Sequence, residues 1–184
     1  MEDSALAQIY NLFADLLEYP TPALSQQARA CAHWIAEMAP EAAVRIDQFL
    51  TSVEALSIPR LEEIYTRTFD MQPVCYPYVG YHLFGESYKR SAFMAQLNEG
   101  YRKYGFTPGT ELPDHVAVIL RFLGSRAAGR NSDFGRTLID EGLVPTLEKI
   151  AKDLSAQTGN PYSLLISALL IVVKELVQKE MIHV

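Results

Sequence analysis

The chain has 184 residues, 49% apolar and 21% charged, with 16 Lys+Arg against 22 Asp+Glu and a net charge of −6. That size predicts one domain spanning 1–184 with one hydrophobic core, and the composition excludes intrinsic disorder. The acidic balance argues against nucleic-acid binding, which needs a basic footprint, and Cys31 and Cys75 form no CxxC pair of a zinc or disulfide framework.

In chain order, Leu6, Ile9, Tyr10, Phe13, Leu16 and Leu17 follow a helical period that must stop before Pro20. Thr21 and Pro22 then read as the N-cap and first residue of a second helix, with the stripe Leu24, Ala28, Cys31, Ile35 and Met38. A third helix carries Ile46, Phe49, Leu50, Val53 and Leu56. A shorter fourth follows Ser57 and Pro59, with Leu61, Ile64, Tyr65 and Phe69 inward.

Phe93, Leu97, Tyr101 and Tyr104 define a fifth helix, which Gly105 can end in a left-handed cap. Val116, Ile119, Leu120 and Leu123 define a sixth. Ser132 opens a seventh that Pro145 should kink or split near Gly142. Asn160 and Pro161 start the last helix, whose run from Leu164 to Val173 predicts a central position enclosed by the others. No period-two strand appears. The reading is all-α, a compact bundle of about seven to nine helices.

The acidic start MEDSALAQIY is unlike a secretory or transit signal, and the run to Val173 is shorter than the ~20 apolar residues a bilayer needs. A cytoplasmic location without membrane insertion is expected. Asp70 to Gly85 breaks the helical pattern with two prolines, two glycines and the aromatics Tyr76, Tyr78, Tyr81 and Phe84. A structureless loop of about sixteen residues is unusual in a compact domain and often functional. Its aromatics must pack on the helices or await a partner.

The ionisable groups permit more than one chemistry. A small metal-dependent hydrolase would use His115 with Asp114 and recruit His82 and Asp70, yet the chain holds no HExxH, GxSxG or phosphate-cradling glycine loop. In the plainer reading, Glu111 and Asp114 complement a helix dipole beside Pro113, and His115 pins the loop. Glu86 and Arg90 are spaced to pair on one helix face.

Three blocks carry a resemblance: Tyr65-Thr-Arg-Thr-Phe69-Asp70, Tyr81-His-Leu-Phe-Gly-Glu-Ser-Tyr-Lys-Arg90, and Glu111-Leu-Pro-Asp-His115 followed by Ile119-Leu120 and Phe122-Leu123. Together they resemble the TorD/NarJ-type redox-enzyme maturation chaperones of molybdenum oxidoreductases, most closely the nitrate reductase delta-subunit branch. The resemblance implies an all-helical, non-enzymatic protein without cofactor or metal of its own. Its partner would be the apo catalytic subunit of a molybdoenzyme, bound through an N-terminal or twin-arginine-like segment until the molybdenum cofactor is inserted. Cofactor biosynthesis proteins are further implied partners. The segment from Asp70 to Arg90 and the corner Pro113, Asp114 and His115 would line the peptide-binding face.

Chemistry suits that task. Tyr76, Tyr78, Tyr81 and Phe84 offer rigid contact area, with His82 and Arg90 among them, and Asp70, Glu86, Glu111 and Asp114 can meet arginines. A permanent structural subunit of an oxidoreductase is a third reading. Two departures from the family stand out. The loop Met71 to Tyr78 does not match position by position, and the chain ends at Met181-Ile-His-Val184 without a longer charged tail.

Overall fold

The computed structural model describes residues 2–125 and 127–182. The helices are α1 (Glu2–Leu16), α2 (Leu24–Ile35), α3 (Pro40–Glu54), α4 (Ile58–Tyr65), α5 (Val79–Phe84) and α6 (Tyr88–Lys103). They continue with α7 (Val116–Ser125), α8 (Ala127–Arg130), α9 (Asp133–Thr137), α10 (Val144–Ser155) and α11 (Tyr162–Ile182). Among the described residues there is no strand, only a single antiparallel bridge between Tyr78 and His115. No described helix is long and apolar enough to cross a membrane. The expectation about the chain end reaches residues 183 and 184, which lie outside the described residues.

The stripes read from the sequence make the contacts. Ile9, Phe13 and Leu16 of α1 are buried, and α1 packs on α2 and α7. Ile46, Phe49 and Val53 face inward from α3, which lies against α2 and α11. Each such side chain contributes roughly 1.5–3 kcal/mol on leaving water, before the entropy of ordering it is subtracted.

The caps follow local chemistry. Ser132 Oγ accepts from Gly135 N–H at 3.1 Å to open α9, and Asn160 Oδ1 accepts from Tyr162 N–H at 3.0 Å to open α11. Gly105, at φ 67°, ends α6. There Phe106 N–H reaches Tyr101 O at 2.9 Å, and the two rings meet at 5.1 Å, the hydrophobic contact that accompanies this cap.

Two π-helical stretches, Thr66–Asp70 and Leu138–Leu143, widen the helices. The second lies just before Pro145 and joins α9 to α10, so the interruption predicted near Gly142 is a wide turn rather than a break. The first extends α4 through Phe69. At the start of α2, Thr21 and Pro22 form a preceding turn, with Leu24 N–H on Thr21 O at 3.0 Å, and the helix begins two residues later than its cap signal.

Two expectations change. The segment from Asp70 to Gly85 is not structureless throughout, because Val79–Phe84 forms α5 with Val79 and Gly80 buried. The most enclosed helix is α7, where Val116–Leu120 and Phe122–Gly124 are all buried. In α11 the flank of Leu164, Leu170, Ile171 and Val177 is only partly covered, because α3 and α10 pack on its other sides.

Candidate functional site

The short helix α5 is held from behind by a polar clasp. Val79 N–H donates to Asp114 O at 2.8 Å, and Val116 N–H donates to Pro77 O at 2.9 Å. These bonds join the end of the irregular segment to the corner that starts α7. Asp114 is 0% exposed, and its carboxylate takes a two-pronged ion pair from Arg90 of α6, Nε to Oδ2 at 2.8 Å and Nη2 to Oδ1 at 3.3 Å. A Cβ on Gly80 would sit 2.7 Å from Asp114 Oδ2, so only glycine lets α5 approach this pair so closely.

Around the pair, the Arg90 guanidinium lies 5.0 Å over the Tyr78 ring, and Tyr78 packs edge-on against His115 at 5.2 Å. Tyr78 Oη donates to Glu111 Oε1 at 3.3 Å; burial, reinforced by that carboxylate, pushes its phenol up to about 12. Tyr101 Oη donates to Pro113 O at 2.8 Å in the interior. His115 Nδ1 accepts from Ala117 N–H at 3.1 Å and so acts as the cap of α7. That bond needs a bare Nδ1, and burial lowers the imidazole's affinity for a proton, opposed by Glu111, Glu18 and Asp114.

On the outer side of α5, the Tyr76 and Tyr81 rings lie 3.9 Å apart, and His82 Nε2 donates to Tyr76 O at 2.7 Å. Lys149 Nζ of α10 donates to His82 O at 2.6 Å, capping the last turn of α5.

The site residues expected from the sequence therefore divide. Tyr78, Arg90, Pro113, Asp114 and His115 form the clasp, with Glu111 at its exposed edge. Tyr81 and His82 on α5 and Tyr76 just before it are half-buried, while Asp70, Phe84 and Glu86 are exposed. Two details depart from the sequence reading. Arg90 pairs with Asp114 and not with Glu86, which lies in the turn before α6 where water already solvates it. Asp114, expected to meet an incoming arginine, already has both oxygens on Arg90.

The same bonds bear on the hydrolase reading. His115 Nδ1 and the Asp114 oxygens serve internal partners, and His82 Nε2 is held by a carbonyl. Among the described residues no group of three or more His, Cys, Asp or Glu side chains is placed to hold a metal ion.

The other face of α5 borders a groove of about 710 Å³. Leu83 and Phe84 of α5, Phe93 and Leu97 of α6, Phe134 of α9 and Leu138 of the second π stretch line it. Glu99, Glu141 and Lys103 stand among its polar lining. Of the residues proposed from sequence, only Phe84 lines it. Phe93 and Leu97 read as core stripe in the sequence; Leu97 is buried as expected, and Phe93 is left partly open. Leu138, in the lining, comes from the π stretch after α9, whose only sequence signal was Pro145.

The sequence pattern of the family described as nitrate reductase delta subunit matches residues 34–156, more than half of the chain and including all three motif blocks. The chain belongs to this family, in keeping with its resemblance to TorD/NarJ-type maturation chaperones. It is also similar to the crystal structure of a proposed redox enzyme maturation protein from Archaeoglobus fulgidus, with a TM-score of 0.60 and 23% sequence identity. The similarity covers 91% of this chain and 93% of that one, and it establishes a shared fold. Among curated protein sequences, none matches.

Proposed function

We propose that this protein is a cytoplasmic assembly chaperone without catalytic activity, which holds the N-terminal region or signal sequence of an apo molybdoenzyme catalytic subunit. It keeps that subunit available for cofactor insertion, with cofactor biosynthesis proteins as transient partners, and leaves before assembly or export. The carrying observation is the open apolar groove beside α5, whose wall is part of the second motif block. An apolar or amphipathic client segment fits such a groove as a helix or extended chain. Glu99 and Glu141 in its lining, with exposed Glu86 nearby in sequence, suit basic residues flanking that segment.

In this reading the clasp residues act through α5. Arg90 and Asp114 fix the helix, so Leu83 and Phe84 meet the client without first being ordered, which lowers the entropic cost of binding. Tyr76, Tyr81 and His82 extend the contact surface beyond the groove. Titrating synthetic N-terminal peptides of molybdoenzyme subunits into the protein tests this. Micromolar binding that Phe84→Glu weakens at least tenfold supports the groove. Unchanged binding in that variant excludes it.

A further inference from the structure

A second cavity lies on another part of the molecule and shares no residue with the groove. It measures about 160 Å³ and sits where the first π stretch meets the turn between α10 and α11. Both charged residues lining it are arginines, Arg60 and Arg67, in a chain where acids outnumber bases. No carboxylate lines it. Arg60 pairs with the exposed Glu63, whose carboxylate also feels the charge of Arg67, and Arg67 itself is in no ion pair among the described residues.

The floor is rigid. Thr68, 1% exposed, donates its hydroxyl to Ile64 O at 2.6 Å and accepts from Asn160 Nδ2 at 2.9 Å. Asn160 in turn caps α11. Gln157 and Thr158, both exposed, bring an amide and a hydroxyl to the lining, beside Gly159 at φ 79°. The residues Arg60 and Arg67 come from α4 and the π stretch that continues it, and both line the same pocket.

We propose that this pocket binds a phosphate group. The unpaired Arg67 fork, which Arg60 can join by turning from its exposed partner Glu63, matches a tetrahedral oxyanion together with neutral amide and hydroxyl groups. The volume lies below the ~300–1,000 Å³ of pockets that enclose whole small molecules, so the pocket takes one charged group and leaves any attached nucleoside outside. The inference stands independently of client binding.

The test is a titration of the isotope-labelled full chain with inorganic phosphate at constant ionic strength, followed by amide NMR shifts. Saturable shifts centred on Thr68, Thr158 and Gly159 are expected. Arg67→Gln, at an exposed position, should keep the melting temperature and weaken binding about tenfold, while Arg102→Gln at the end of α6 should leave it unchanged. A parallel titration with ADP separates the sources: affinity well above that of phosphate assigns a nucleotide phosphate, and equal affinity assigns free phosphate. Shifts that never saturate, or equal affinity in Arg67→Gln, overturn the proposal.

Discussion

Arg90 and Asp114, on α6 and at the start of α7, form a two-pronged ion pair at 2.8 and 3.3 Å, with the Arg90 side chain 15% exposed and that of Asp114 fully buried. The pair joins two of the three motif blocks and fixes α5, which leads into the second of them. Removing one partner strands a charge in the interior, which costs about 3–5 kcal/mol. Arg90→Gln and Asp114→Asn should each lower unfolding stability by that order in urea titrations. The double variant should lose clearly less than the sum, because neither charge is then left alone. Additive losses would mean that the two residues act separately.

Gly80 gives a steric counterpart. Its Cβ position lies 2.7 Å from Asp114 Oδ2 and 3.0 Å from both Arg90 Cγ and a Phe93 ring carbon. Gly80→Ala should therefore cost about 1–3 kcal/mol, although alanine favours helix, since overpacking displaces the ion pair. A melting temperature at or above that of the parent would show that α5 shifts freely.

The fold was legible where one chain segment decides its own state. Ser132 and Asn160 cap as their side chains dictate, Gly105 turns left-handed, and the stripes of α1, α3 and α7 face inward. What depended on distant packing was less legible. Glu86 and Arg90 have the spacing of a helical pair, but buried Asp114 competes better for the guanidinium than an exposed carboxylate does. The groove escaped notice because an apolar stripe looks the same whether or not another helix covers it. Phe134 and Leu138, distant from Phe93 in sequence, complete its lining.

One buried histidine, His115, and one half-buried, His82, predict a pH response. Burial lowers the proton affinity of His115 and His82 below the usual value of 6.5, so the unfolded chain binds protons more readily than the folded one. Stability from these groups is complete above about pH 6.5 and falls as the pH drops below it toward their folded-state values. His115 also loses its bond to Ala117 N–H when Nδ1 is protonated. In His115→Asn, whose side chain can still cap α7, the slope of stability between pH 6.5 and 5.5 should flatten. An unchanged slope assigns the acid sensitivity to other groups.

Electrostatics should appear in the binding rate. For an acidic protein and a basic client peptide, association should slow as salt rises toward physiological strength, with dissociation changing less. Replacing Glu99 and Glu141 by Gln should remove part of that dependence in stopped-flow measurements. Equal association rates at all salt concentrations would leave the net charge of −6 without a role in binding.

Occupancy of the groove beside α5 by a client's N-terminal segment is what the proposed function requires. Its most direct measurement places a photo-crosslinking amino acid at Leu83, in the groove wall, and at Trp34 on α2 as an exposed control, in cells making molybdoenzymes. The account predicts that Leu83 crosslinks to the N-terminal segment of an apo catalytic subunit, mapped by peptide sequencing, and that Trp34 does not. Crosslinks from Leu83 to another part of the subunit, or equal capture from Trp34, would contradict it.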